Sequence, residues 1–255
     1  MKKAALINLT DSGHSKTLAE ILANGGIVGA IWGHHLYFLA CNACDIDAVT
    51  RMNSLKNRPS TQTLVSPGAI EDAEELADLN KCPALLTAAQ KKDMDPASYL
   101  EFLFKKFPLG VELMAKSDVP GTLTFSTDKG KTIWIAAHMG DKNYSKLLKE
   151  VRDLRRNGKK VIFAGTSLNI KGTDTLTVNQ LDKVIEDFGE NIDAISVHPG
   201  EKKLKRLNFN TSCSVVSFIN EKPTLLRIGC TKISTLKKYI PELVVPDGVA
   251  STKKQ

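Results

Sequence analysis

The sequence predicts an α/β fold in a single domain: a twisted, mixed β-sheet flanked by helices. Three observations carry that expectation. Segments of helical period alternate with short strand-like runs along most of the 255 residues, the order that packs helices on a partly parallel sheet. Val161-Ile162-Phe163-Ala164 is continuously apolar, as a strand buried on both faces would be. Thr122 to Ser126 and Thr132 to Ala136 are separated by Thr127-Asp128-Lys129-Gly130, a hairpin turn that makes the sheet mixed.

The elements follow in order. Thr17 to Asn24 reads as a helix, with Glu20 three residues after Thr17 as in a capping box and Gly25 as the stop. A strand begins within Gly26 to Trp32. Asp45 is a good N-cap for a helix carrying Ile46, Val49, Met52 and Leu55, and Pro59 ends it. Thr63 to Val65 reads as a short strand and Ile70 to Leu79 as a helix. Asp95-Pro96 supplies both a cap and a first-turn proline for a helix through Phe107. After the strand Val111 to Ala115 and the hairpin, the helix Tyr144 to Arg156 precedes the strand at Val161. Thr177 caps a helix to Phe188. Strands at Ala194 to Val197, Ser214 to Ile219 and Thr224 to Ile228 lead to a last helix, Ser234 to Tyr239. The expected domain covers 1–246, and 247–255 reads as a mobile basic tail.

An apolar content of 42% can build a substantial core without metals or disulfides. Five cysteines without framework spacing fit free thiols in a reducing compartment, so a cytoplasmic location is expected. No run approaches the roughly twenty apolar residues that a membrane span needs, and the apolar run after Met1-Lys2-Lys3 is too short for a secretory signal. The net charge of +7 favours phosphate-rich partners, tRNA or double-stranded RNA among them. The basic residues gather in 142–160, in Lys202-Lys203-Lys205-Arg206 and in the tail. Lys146, Lys149, Arg152, Arg155 and Arg156 can equally be the solvated face of a helix that buries Leu147, Leu148, Val151 and Leu154. No basic segment is interleaved with aromatics as a single-strand stacking platform requires.

Two polar motifs stand out, Lys56-Asn57-Arg58-Pro59 and Thr166-Ser167-Leu168-Asn169, each at the end of an apolar element. Two cations and three small hydrogen-bonding side chains could meet on a phosphate-bearing ligand at a sheet edge. The alternative is ordinary: Lys and Arg complement a helix C-terminus, and Thr-Ser-x-Asn forms a polar turn.

With Gly25-Gly26-Ile27-Val28, Cys41-Asn42-Ala43, Ser214-Val215-Val216 and Leu226-Arg227-Ile228-Gly229, these motifs fall in the order of the YrdC-like family, which the chain resembles from about Thr17 to Pro241. The family contains the threonylcarbamoyl-AMP synthases. The resemblance implies a YrdC/RibB-like twisted sheet around a basic concave face. It implies an enzyme that uses ATP with Mg²⁺, L-threonine and bicarbonate to make threonylcarbamoyl-adenylate for tRNA modification, with no tightly bound metal. It assigns Lys56 and Arg58 to the phosphate-facing pair with catalytic roles. Thr166, Ser167, Asn169, Ser214 and Arg227 become nucleotide or substrate contacts.

The departures from the family pattern cluster. Ile31-Trp32-Gly33-His34-His35-Leu36-Tyr37 replaces the threonine-bearing Pro-Thr-Asp-Thr-x-Tyr segment, Phe107-Pro108-Leu109-Gly110-Val111-Glu112 replaces Trp-Pro-Gly-Pro-x-Thr, and Ala136-Ala137-His138-Met139 lacks the family's arginine. Cys213 holds a serine position. A non-catalytic or acceptor-changed YrdC-like nucleotide- or RNA-binding protein is therefore the second expectation. Glu112 and His138 are expected as exposed strand residues or as new polar contacts. His34 and His35 with Cys41-x-x-Cys44 are the one candidate zinc set, and a single Cys-x-x-Cys carries little signal. Gly13-His14-Ser15 reads as a turn before the first helix, and Glu71, Asp72, Glu74, Glu75 and Asp78 as a solvated acidic surface.

Overall fold

A computed structural model describes residues 3–32, 36–137, 141–170, 173–199 and 212–251. The mixed α/β class is as expected, but in place of the single sheet expected the strands form two, one in each of two compact units. Met1–Leu64 with Asp141–Asn210 form the first unit, and Val65–Gly140 with Thr211–Gln255 the second.

The first unit holds β1 (Ala5–Asn8), α1 (His14–Ala23), β2 (Val28–Trp32), β3 (Leu36–Asn42) and α2 (Ile46–Leu55). In chain order the second unit's elements intervene before α6 (Lys142–Arg156), β8 (Phe163–Ser167), α7 (Leu181–Phe188) and β9 (Ala194–Val197) complete it. Its sheet order is β1-β9-β2-β3-β8. β9 lies parallel to β1 and β2, and β3 lies antiparallel to β2 and β8. β3 is buried along all seven residues, which leaves no alternation to mark it in the sequence. α1 starts one turn earlier than the capping-box expectation, because Gly13 takes a left-handed conformation at the N-cap, and Thr17 bonds the Gly13 carbonyl instead of capping. Its end is as expected: the N–H groups of Gly25 and Gly26 close on the Leu22 and Ile21 carbonyls, with Gly25 at φ 80°. On α6, Arg152 is buried and Leu154 only half-buried, so Arg152 does not belong to the solvated basic face.

The second unit holds β4 (Ser66–Pro67), α3 (Ile70–Leu76), α4 (Pro83–Gln90), α5 (Pro96–Lys106), β5 (Leu109–Met114), β6 (Thr124–Thr127), β7 (Gly130–Ala137), β10 (Ser214–Ser217), β11 (Thr224–Ile228), α8 (Ile233–Tyr239) and β12 (Ala250–Ser251). The order is β12-β11-β10-β5-β7-β4, with β6 on β7 as the expected hairpin. β4 falls at Ser66–Pro67 in place of the expected strand at Thr63 to Val65. β12 pairs with β11 at Ala250 and Ser251, inside the segment expected as a tail. α5 is capped by Asp95, whose carboxylate accepts from the Ser98 N–H at 2.9 Å. Asp72 is not part of a solvated acidic surface. It is buried, and its carboxylate accepts from the Ala69 N–H at 2.9 Å, closing the first turn of α3.

Among the described residues, no helix is long and apolar enough to cross a membrane. His34, His35, His138 and the basic run at 202–206 lie outside the described residues.

Candidate functional site

The first unit brings its two polar motifs together. α2 begins at Asp45, whose carboxylate accepts from the Asp47 and Ala48 N–H groups at 3.0 Å each. It ends at Leu55, and Lys56 is the C-cap. The chain then reverses through Asn57, at φ 53°, a left-handed conformation that asparagine tolerates better than most residues. Asn53 organises this turn. Its carbonyl accepts from the N–H groups of Lys56 (3.1 Å) and Arg58 (3.0 Å), and its Nδ2 donates to the carbonyls of Ser60 (3.1 Å) and Gln62 (3.0 Å). A buried asparagine on the apolar side of a helix was the available signal for this role, and the sequence reading passes over it.

The second motif is pinned from the other side. Thr166 and Ser167 are the last residues of β8, not a loop after it, since the strand begins at Phe163 and not Val161. Leu168 is fully buried, and its backbone bonds Tyr37 and Leu176. Asn169 is held by Nδ2 donation to the carbonyls of Ile170 (3.1 Å) and Thr173 (2.7 Å), and it accepts from Ser167 Oγ at 2.7 Å.

Lys56 Nζ sits in the middle of these groups. It donates to the Ser167 carbonyl, to Asn169 Oδ1 at 2.9 Å, to Thr166 Oγ1 at 3.3 Å and to Ser167 Oγ at 3.4 Å. Arg58 Nη1 donates to the same Thr166 hydroxyl at 2.9 Å. Lys56 is 0% exposed. Among the described residues neither cation has a carboxylate partner, so every acceptor around them is neutral. Burial, and after it the Arg58 guanidinium, pulls Lys56 down to about 6, and burial lowers Arg58 as well. A buried lysine and a half-buried arginine thus lie side by side without a countercharge among the described residues, an arrangement that costs free energy unless a negative charge joins it.

The second unit treats its two predicted residues differently. Ser214 is fully buried: its Oγ donates to the Thr231 carbonyl at 3.0 Å and accepts from the Gly229 N–H at 2.9 Å. Thr231 Oγ1 in turn donates to the Pro108 carbonyl at 3.0 Å. Gly229 is packed so closely that a Cβ there would lie 2.2 Å from the Ser212 carbonyl oxygen. Arg227 Nη2 donates to Ser212 Oγ and the Cys213 carbonyl, both at 3.1 Å, with the buried Cys213 Sγ at 3.8 Å. Its Nε is buried without a hydrogen-bond partner among the described residues. Glu112 is not an exposed strand residue: it is buried, and its Oε1 accepts from Thr132 Oγ1 (3.0 Å) and Trp134 Nε1 (3.2 Å). A cleft of about 550 Å³, lined by Lys81, Met114, Lys129, Lys222 and Thr224 among others, includes neither Ser214 nor Arg227. Among the described residues, no group of three or more His, Cys, Asp or Glu could hold a metal ion.

Residues 20–229 match the Sua5_yciO_yrdC family model, whose description is "Telomere recombination". The chain belongs to the Sua5/YciO/YrdC family. A comparison with curated proteins returns no match. Solved structures share the fold. A doubly substituted variant of P. abyssi Sua5 is 23% identical with a TM-score of 0.72, over 98% of this chain and 68% of that one. P. abyssi Sua5 complexed with L-threonine is 22% identical with a TM-score of 0.70, over 96% and 63%. E. coli YciO is 14% identical with a TM-score of 0.64, over 92% and 99%. The chain thus spans about two thirds of the length of the Sua5 chains. Lys56, Arg58 and the Thr166 to Asn169 motif all fall inside the matched region.

Proposed function

We propose that the protein condenses L-threonine, bicarbonate and ATP into threonylcarbamoyl-adenylate, with release of pyrophosphate, as the activating step of tRNA threonylcarbamoyladenosine formation. The observation that carries this reading is the pairing of a buried lysine, Lys56, with the half-buried Arg58, both held by neutral oxygens of Thr166, Ser167 and Asn169 with no carboxylate partner among the described residues. A polyphosphate supplies the missing negative charge. Family membership and the threonine-bound state of the P. abyssi relative point the same way.

The chemistry asks for charge management. Threonine's amine and bicarbonate give a carbamate with loss of water, and a carbamate oxygen attacks the α-phosphorus while the bond to pyrophosphate breaks. Lys56 and Arg58 hold the phosphate oxygens and offset the charge that develops on the leaving group. Ser167 and Asn169, already hydrogen-bonded to each other, orient Lys56 and offer further contacts to the nucleotide. Mg²⁺ accompanies ATP, coordinated by phosphates and water more than by side chains.

The second reading is a YrdC-like protein that binds a nucleotide or RNA but has lost or changed the acceptor. Cys213 at a serine position and Ala136-Ala137 in the arginine-bearing segment favour it. Pyrophosphate release from ATP, bicarbonate and Mg²⁺, with and without L-threonine, separates the two. Threonine-dependent release that disappears in Lys56→Ala supports the synthase. ATP binding that depends on Lys56 without any release supports the second reading, and ATP binding indifferent to Lys56 sinks both.

A further inference from the structure

A second surface in the second unit, independent of the proposed adenylation, is built from two helices far apart in sequence. α5 ends in Phe102, Lys105, Lys106 and the following Phe107, and α8 ends in Lys237, Lys238 and Tyr239. The Tyr99 hydroxyl donates to the Tyr239 carbonyl at 2.9 Å and ties the two helix ends together. The Phe102 and Tyr239 rings lie 5.9 Å apart between centroids, and Phe107 lies 5.8 Å from Tyr239. All three rings are half-buried. Lys106 Nζ stands 5.3 Å over the Phe102 ring, and Lys238 Nζ 5.5 Å over the Tyr239 ring. Lys105 is paired with Glu101 at 2.7 Å, whereas Lys106, Lys237 and Lys238 have no ion-pair partner among the described residues.

Lysines in the last turn of a helix complement its dipole, which accounts for their presence. It does not account for two ammonium groups placed over adjacent ring faces with no carboxylate between them. Lys106 and Lys238 are both exposed, and the rings beneath them are only half-buried. We propose that this face docks an unpaired nucleic-acid strand: bases stack on Phe102 and Tyr239, and Lys106 and Lys238 swing from the rings onto the flanking phosphates. Three neighbouring aromatic rings with unpaired cations on their rim match alternating bases and phosphates. A lipid surface would call for protruding apolar side chains, and none of the well-exposed large apolar residues lies on α5 or α8.

The test is fluorescence anisotropy with a labelled oligouridine of about 12 nucleotides, within the range of single-strand sites, beside a duplex of the same length and anionic vesicles. The full chain is used. Lys106→Glu with Lys238→Glu should weaken single-strand binding at least ~10-fold and flatten its salt dependence. Lys16→Glu with Lys92→Glu, an equal change in charge on exposed residues elsewhere, should not. Phe102→Leu keeps apolar volume but removes the π-face, and should cost about 5-fold or more in single-strand binding while the chain stays folded at the assay temperature. Equal losses in the two charge-reversed pairs, tighter duplex than single-strand binding, full affinity in Phe102→Leu, or binding to vesicles alone would each overturn the proposal.

Discussion

Lys56 and Ser214 are both buried polar residues in short family motifs, yet the fold uses them in opposite ways. Lys56 donates only to neutral oxygens beside a second cation, which leaves its charge uncompensated. Ser214 accepts one backbone bond and donates another, so its hydrogen-bonding capacity is engaged by Gly229 and Thr231. Burial alone does not say whether a polar group's needs are met within the chain. What distinguishes them is whether the partners already present complete the group's electrostatics.

The largest effect expected from this contrast is in Lys56→Met. Pyrophosphate release should fall by at least ~100-fold, the scale of losing one preorganised charge-stabilising donor. Thermal stability should not fall, because the substitution removes a lysine that burial forces either to give up its proton or to hold it without a counterion. A variant that loses activity only by unfolding would break the comparison, and parallel melting curves decide it.

Protonation sharpens the same point. Lys56 is held near 6 in the free protein by burial and by Arg58, and a bound polyphosphate raises it again. Between those values binding takes up a proton, so inorganic tripolyphosphate should bind more weakly as pH rises above 6, by up to about tenfold per unit. Folding runs the other way. The unfolded chain holds this proton more tightly, so stability should rise with pH from about 6 towards the ordinary lysine value of 10.5. Both slopes should vanish in Lys56→Met, as titration calorimetry and pH-dependent denaturation would show.

Ser214→Ala should instead cost about 2 kcal/mol of stability, by stranding the buried Gly229 N–H and Thr231 carbonyl. Its activity per folded molecule should change far less than that of Lys56→Met. Equal activity losses in the two variants would mean that Ser214 also touches substrate. Asp45→Ala, which removes the α2 cap, should cost about 1 kcal/mol in urea denaturation and leave pyrophosphate release intact.

Local signals were legible where local physics decides. Asp45 and Asp95 cap helices because their carboxylates reach N–H groups two or three residues on, and Gly25 ends α1 because it can adopt positive φ. The hairpin at Thr127 to Gly130 is local for the same reason. β3 escaped notice because it is buried along its whole length, and α4 because its small apolar residues carry little period. At the site, Lys56, Arg58, Thr166, Ser167 and Asn169 were named from sequence and lie together. Asn53 was not named, because its role is to fasten a turn that the sequence does not draw.

By itself, the sequence determined the Asp45 and Asp95 caps, the Gly25 stop, the mixed α/β class and the residues of the two polar motifs, all matters of short-range hydrogen bonding and periodicity. Only the tertiary structure decided that Lys56 is sealed from water among neutral oxygens, that Glu112 is buried and bonded to Thr132 and Trp134, and that Lys106 and Lys238 come to stand over neighbouring rings. Those outcomes depend on which distant segments pack side by side, and charge, burial and stacking are properties of that packing.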